Sequence, residues 1–418
     1  MVPPAWLKHA SLWLAVASVV SILLGVAVSQ NLLALALCAL LLSGLPLRWP
    51  RIALPLALFL LWTLVALAFS PDPGFGLAQI RKFYVFATML IVFSNVTTLA
   101  RAKWLTLAWI VVGALTAGRG LYQYARDVVR WQATGEHTDF YHFYIADRIR
   151  GFMSHWMTFS GQELFILLLL AAFLLFAPGV KKYLWMLLPC ALVTGLALVL
   201  SDTRSVWVAA VLAGCYLLWC WNKWAALAMP VVLGLGLLVA PAAVQQRVRS
   251  ILHPEKQTDS NLHREITRRV GWEMIKAHPF VGVGPDEIIK EPVFFAYLPA
   301  DVARPLPEGY YGHLHNFYLQ YAAERGIPAA LFITGALVMA LMDFRRALRK
   351  LPPGRSDPRF LLQAAIACIL GTMIAGFFEY NLNDTEVLTM FLAIMCLGYL
   401  AVHHADRLPV EGSAKRQL

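Results

Sequence analysis

The sequence predicts an all-α polytopic membrane protein with about twelve transmembrane helices, and three observations lead there. Of its 418 residues 59% are apolar and 14% charged, with a mean hydropathy of +0.63; soluble domains carry about 25% charged residues. Apolar runs continue unbroken for about twenty residues, the length a helix needs to cross a hydrocarbon core, without the alternation of a transmembrane barrel. Basic residues gather in alternate short loops, as the positive-inside bias requires. A water-soluble globule and a disordered chain are both excluded.

Runs bounded by charges, Pro or Gly fall at about 10–28, 31–47, 52–70, 83–99, 103–121, 159–178, 182–200, 204–221, 224–240, 318–342, 359–380 and 385–403. The first lacks a small-residue cleavage site and is followed by many further spans, so it reads as a retained helix rather than a signal peptide. An even count puts both termini on one side. Taken as cytoplasmic, that side receives seventeen Lys and Arg, among them Arg48, Lys103, Lys181 and Arg346, against Asp343, Asp357, Asp406 and Glu411. The opposite side balances 18 bases with 20 acids. Four regions follow: 1–240 with nine helices and a shorter external loop near 122–158, a large external loop at 241–317, three helices in 318–404, and a tail at 405–418. Loops of such length are usually functional, and the longer one contains an amphipathic stretch, Arg264 to Ala277, ended by His278-Pro279-Phe280-Val281-Gly282-Val283-Gly284-Pro285.

The net charge of +11 is spread over many short loops with no basic domain to grip a duplex, so nucleic acid is not an expected partner. Membrane lipids and phosphorylated lipids suit it better. All six cysteines fall within apolar runs and read as packing residues.

Chemistry is expected on the external face. Ser201-Asp202-Thr203-Arg204 puts an arginine at a helix mouth. It reads either as an interfacial side chain paired with Asp202 or as a phosphate clamp, since a guanidinium fork matches phosphate oxygens. Arg268 and Arg269 precede Trp272 in the long loop, either as a solvated helix face or as basic residues that the orientation rule leaves without a reason. Tyr310-Tyr311-Gly312-His313-Leu314-His315-Asn316 leads into the tenth span. A His-x-His pair suggests metal first, but no carboxylate or cysteine stands at a compelling spacing and no Asp-x-Asp is present. A histidine with an ordinary pKa of about 6.5 instead suits a general base toward a sugar hydroxyl, with Tyr311, His313 and Asn316 as neighbouring substrate contacts. Arg119 near the outer end of the fifth span lines a cavity or snorkels to water. The stretch Gly151 to Gly161, which includes His155, suits a kinked or re-entrant start to the sixth span. Glu379 and Asp384 read as a solvated turn.

These residues resemble the O-antigen ligase and O-antigen polymerase superfamily of bacterial membrane glycosyltransferases. The family pattern of His, then Asn, Ser or Gln, nine residues and Gly is matched by His315-Asn316, Phe317 to Arg325, and Gly326. The runs Met153–Gly161 and His278–Gly284 are also similar, and the similarity spans roughly 150–385. By local context the family's two arginines fall on Arg204 and Arg268, with Arg269 as an alternative for the second. The resemblance implies a GT-C-type fold with a large periplasmic loop, no metal and no cofactor. It implies an inner-membrane protein of a Gram-negative bacterium with a periplasmic active site. The implied reaction is inverting transfer of a glycan from undecaprenyl pyrophosphate to the lipid A core, with His315 as base and Arg204 and Arg268 on the pyrophosphate. A polymerase is the alternative within this chemistry, and a transporter of lipid-linked glycans the alternative outside it. A transporter needs no base and brings paired broken helices or repeats, neither of which stands out.

Overall fold

Helices occupy the apolar runs because a chain in hydrocarbon must satisfy its own backbone polar groups. The computed structural model describes residues 4–134, 140, 143–144, 147–240, 244–245, 248–249, 260–306 and 312–407. In order these form α1 (Ala5–Ser21), α2 (Val26–Leu42), α3 (Ala53–Ala68), α4 (Pro73–Arg81), α5 (Ala87–Asn95), α6 (Leu99–Thr134), α7 (Trp156–Phe176) and α8 (Leu184–Leu200). They continue with α9 (Arg204–Trp221), α10 (Lys223–Val239), α11 (Ser260–Ala277), α12 (Glu291–Ala296), α13 (Phe317–Lys350), α14 (Asp357–Ala375) and α15 (Thr385–Asp406). Tyr311 and residues 408–418 of the expected tail lie outside the described residues.

Among the described residues eight helical stretches are long and apolar enough to cross a membrane: α4 running into α5, α6, α7, α8 with its leading turn, α9, α13, α14 and α15. Helices α2, α3 and α10 are apolar but shorter. At 1.5 Å per residue a 17-residue helix rises about 25 Å, at the lower limit for a core about 30 Å thick. Several expected boundaries shift: the first two helices lie about five residues earlier than their runs, and α14 ends at Ala375 rather than 380. The fourth run begins at Pro73, where Asp72 caps the helix by accepting from the Phe75 amide at 3.2 Å. The fifth does not stop at 121: α6 is 36 residues long, roughly 54 Å, well beyond the length that a hydrocarbon core about 30 Å thick requires. The tenth likewise continues to Lys350. In both, hydropathy ends before helical periodicity does.

Helices α7, α14 and α15 are the most buried of the spans and form the centre. Helix α14 packs on α7 and α9, α13 on α3, and α11 lies across α13. At one end of the bundle Arg51 meets Asp343 at 2.9 Å, Lys103 meets Asp357 at 2.8 Å and Lys350 meets Asp406 at 2.8 Å. The N-termini of α7, α9 and α13 and the C-terminus of α14 converge at the opposite end.

Helix α13 is broken at Gly326, whose φ of 82° and ψ of 165° lie outside helical space. The loop after α11 docks into the break. Val283 and Gly284 donate to Ala323 and Glu324 carbonyls at 2.8 and 3.0 Å, and Ile327 donates to Pro279 at 2.8 Å. Trp62 of α3 caps the junction, donating to Phe280 and Arg325 carbonyls at 3.1 and 3.0 Å. A Cβ at position 326 would lie 1.8 Å from the Phe280 carbonyl oxygen. The nine residues between His315-Asn316 and Gly326 are therefore a short half-helix, about two and a half turns, held at both ends.

Candidate active site

Asn316 starts that half-helix. Its side-chain oxygen accepts from the Leu319 amide at 2.9 Å, an N-cap, while its amide nitrogen donates to the Phe377 carbonyl at 3.1 Å. The Phe317 amide donates to the Gly376 carbonyl at 2.8 Å. These bonds clip the turn after α14 to the start of α13 and bring Glu379 beside His315. His315 has a φ of 49°, a left-handed backbone that is uncommon outside glycine and recurs at functional sites.

Glu379 is 1% exposed, so the expectation of a solvated turn is corrected: the side chain is pulled inward by the groups it binds. Arg264 Nη2 donates to its Oε1 at 2.7 Å and Ser205 Oγ to the same oxygen at 3.1 Å. His315 Nδ1 lies 3.7 Å from Oε2, an ion-pair separation longer than a hydrogen bond. Burial pushes the Glu379 carboxyl up, but the His315 imidazole and Arg264 guanidinium more than offset this and hold it below the usual range. The neighbouring expectation changes too. Asp384 is half-buried, accepts from Thr158 Oγ1 at 2.7 Å, and is raised to about 6 by burial.

Arg204, Arg264, His315 and Glu379 line one cavity with Arg148, Asp202, Thr203 and His263. Arg204 begins α9 after a turn in which Asp202 takes a φ of 53°, and Arg148 Nη1 donates to the Asp202 carbonyl at 3.3 Å. The His263 and His313 rings pack on His315 with centroids 5.1 and 4.0 Å away. Among the described residues no group of three or more His, Cys, Asp or Glu has metal-holding geometry.

The remaining candidates divide between two adjoining surfaces. Arg268 and Arg269 line an open groove with Trp272, Asn316, Tyr318 and Phe377. Arg269 is bound to Asp301 at 2.6 and 2.8 Å. Arg268 is thus beside the histidine cavity rather than lining it, and Arg264, one turn earlier, lines it. Arg119 lies in a second cleft, donating to the Gly151 carbonyl at 2.9 Å and stacking over Phe152 at 4.4 Å. His155 caps α7, its Nδ1 accepting from the Met157 amide at 3.2 Å. Burial lowers the His155 pKa, with Glu379 opposing and Arg148 adding to the fall. Sequence reasoning passed over Arg148 and His263, took Arg264 only as the start of an amphipathic stretch, and read Glu379 as a solvated turn. The one available signal was helical phase, since Arg264 and Arg268 share a face of α11.

A family model described as O-antigen ligase matches residues 188–334, about a third of the chain. The matched segment contains Arg204, Arg264, Arg268, His315 and Gly326. The match supports a member of the O-antigen ligase/polymerase superfamily and, coarsely, a glycosyl-transferring enzyme working with lipid-linked glycan. No curated protein matches the chain.

Proposed function

We propose that this chain is an O-antigen ligase of GT-C type. It would transfer a glycan from undecaprenyl pyrophosphate to the lipid A core at the periplasmic face of a Gram-negative inner membrane, with both termini cytoplasmic. The observation that carries the reading is the meeting of Arg204, Arg264, His315 and Glu379, from four separate segments, around one cavity. Its position at the end of the bundle opposite the basic face supports a periplasmic site.

The chemistry is one inverting displacement. With Nδ1 toward Glu379, His315 presents Nε2 to the acceptor hydroxyl and takes its proton as the oxygen attacks the anomeric carbon. The bond from that carbon to the pyrophosphate oxygen breaks on the other face, and its electron pair leaves with the pyrophosphate. Arg204 and Arg264 meet the charge that grows there; oriented cationic donors of this kind contribute a few kcal/mol, and a general base about 10²–10⁴-fold. Glu379 stabilises the imidazolium formed in the same step, the role of the carboxylate in an acid–histidine pair. The groove of Trp272, Tyr318 and Phe377 offers the polyprenyl chain an apolar wall, with Arg268 at its lip.

The test is purified protein incubated with lipid-linked glycan and rough lipopolysaccharide, without nucleotide or metal, with product size read on a gel. A single capped product is expected, and His315→Ala should abolish it while melting like wild type. A ladder that grows without acceptor would make the chain a polymerase, no new bond would make it a transporter, and full capping by the variant would remove the base.

A further inference from the structure

The second cleft asks for a ligand of its own. Helix α6 is longer than a span needs, and its C-terminal half carries Arg119, Gln123 four residues on, and the adjacent pair Arg126 and Asp127 three and four residues beyond that, along one side of the helix. The segment 147–153 folds against that face. Gln123 Oε1 accepts from the Arg150 and Gly151 amides, each at 3.0 Å, and its Nε2 donates to the Gly151 carbonyl at 3.0 Å. Among the described residues the cleft between them is lined by Arg119, Arg126, Arg148 and Arg150, with Asp127 and Asp147 in opposition. Both acids are engaged: Asp127 by Arg126 at 2.9 Å and Arg130 at 3.7 Å, Asp147 by Arg150 at 3.7 Å. Arg148 lines this cleft and the histidine cavity alike.

Four guanidinium groups with half that acidic countercharge among the described lining residues, in a pocket that shares Arg148 with the reaction centre, form a seat for a multivalent anion. Guanidinium forks match phosphate and carboxylate oxygens in two-point contact. The walls separate two kinds of anionic ligand. A phospholipid needs an apolar wall for its chains, and that wall belongs to the separate groove of Trp272 and Phe377, which shares no lining residue with the arginine cleft. The arginine cleft is polar. We infer that it binds a phosphorylated sugar of the acceptor, so that Arg148 hands the chain of sugars from an anionic anchor to the hydroxyl beside His315. The inference rests on the ligase reading and adds the acceptor subsite to it.

The test uses full-length protein in nanodiscs of neutral lipid, a lipid-linked glycan donor, and rough lipopolysaccharide either intact or stripped of its sugar phosphates. Loss of two charge-assisted contacts in Arg126→Gln/Arg150→Gln should raise the acceptor KM at least about tenfold on intact acceptor. Removing phosphate should raise the wild-type KM similarly, and on stripped acceptor variant and wild type should coincide, which also establishes that the variant is folded. Arg126→Lys/Arg150→Lys should recover part of the loss. Equal losses on both acceptors, an unchanged KM on intact acceptor, or an effect seen only with anionic lipid in the disc would each overturn the subsite. Growth of the donor glycan without acceptor would instead overturn the ligase reading, and the subsite with it.

Discussion

Replacing Glu379 by Gln isolates the electrostatic part of the proposed mechanism. The amide keeps the shape of the side chain and its contact with Ser205, but removes the negative charge 3.7 Å from His315 Nδ1. At that distance an effective dielectric of about 20 gives roughly 4 kcal/mol of attraction to an imidazolium. The attraction exists only once the proton has begun to move, so its loss falls on the transition state. Arg264, at 2.7 Å from the other carboxylate oxygen, already neutralises part of the charge. Allowing for that leaves about 2–4 kcal/mol, a fall in kcat of roughly 30- to 1000-fold. Single-turnover transfer at saturating donor and acceptor measures it, with the donor KM and a thermal melt recorded in parallel. Glu379→Asp should fall between, with its charge kept but withdrawn by one methylene. A Gln variant whose kcat stays within about threefold of wild type would refute the claim that this carboxylate supports a charged His315.

The two arginines of α11 should separate kinetically. Arg264→Gln, which takes a partner from the buried Glu379, should lower kcat about 100-fold, whereas Arg268→Gln should chiefly raise the donor KM; the reverse order would exchange their roles. Gly326→Ala would drive a Cβ against the Phe280 carbonyl at a φ of 82°, so it should cost at least roughly 2 kcal/mol and lower the melting temperature by several degrees. An unchanged melt would mean that the break in α13 is not fixed by this packing. Asp384 titrates near 6 in the folded protein against 3.8 unfolded, so the folded state holds its proton more tightly. Its contribution therefore makes stability fall as pH rises from about 4 to about 6, and Asp384→Asn should flatten that slope in melts taken across this window.

What the sequence determined by itself is local. Apolar length and periodicity act within one segment, so helices were legible run by run, and so were the bias of basic residues to alternate loops and the spacing from His315-Asn316 to Gly326. Even the amphipathic stretch beginning at Arg264 emerges as part of α11. Where hydropathy faded before the helix ended, as in α6 and α13, the reading stopped short, because surface turns are held by backbone bonds that leave no apolar mark. The tertiary structure decided which side chains face one another. Gly271 allows α11 to approach Leu314 and Leu319 closely, since a Cβ there would lie 2.5 Å from Leu314 Cδ1. That contact fixes the rotation of α11, which turns Arg264 toward Glu379 and leaves Arg268 in the neighbouring groove. Glu379 looked like an ordinary turn acid because its partners come from α9, α11 and the start of α13. Charges find partners through space at a few ångströms, and no pattern along the chain encodes that distance before the helices have packed.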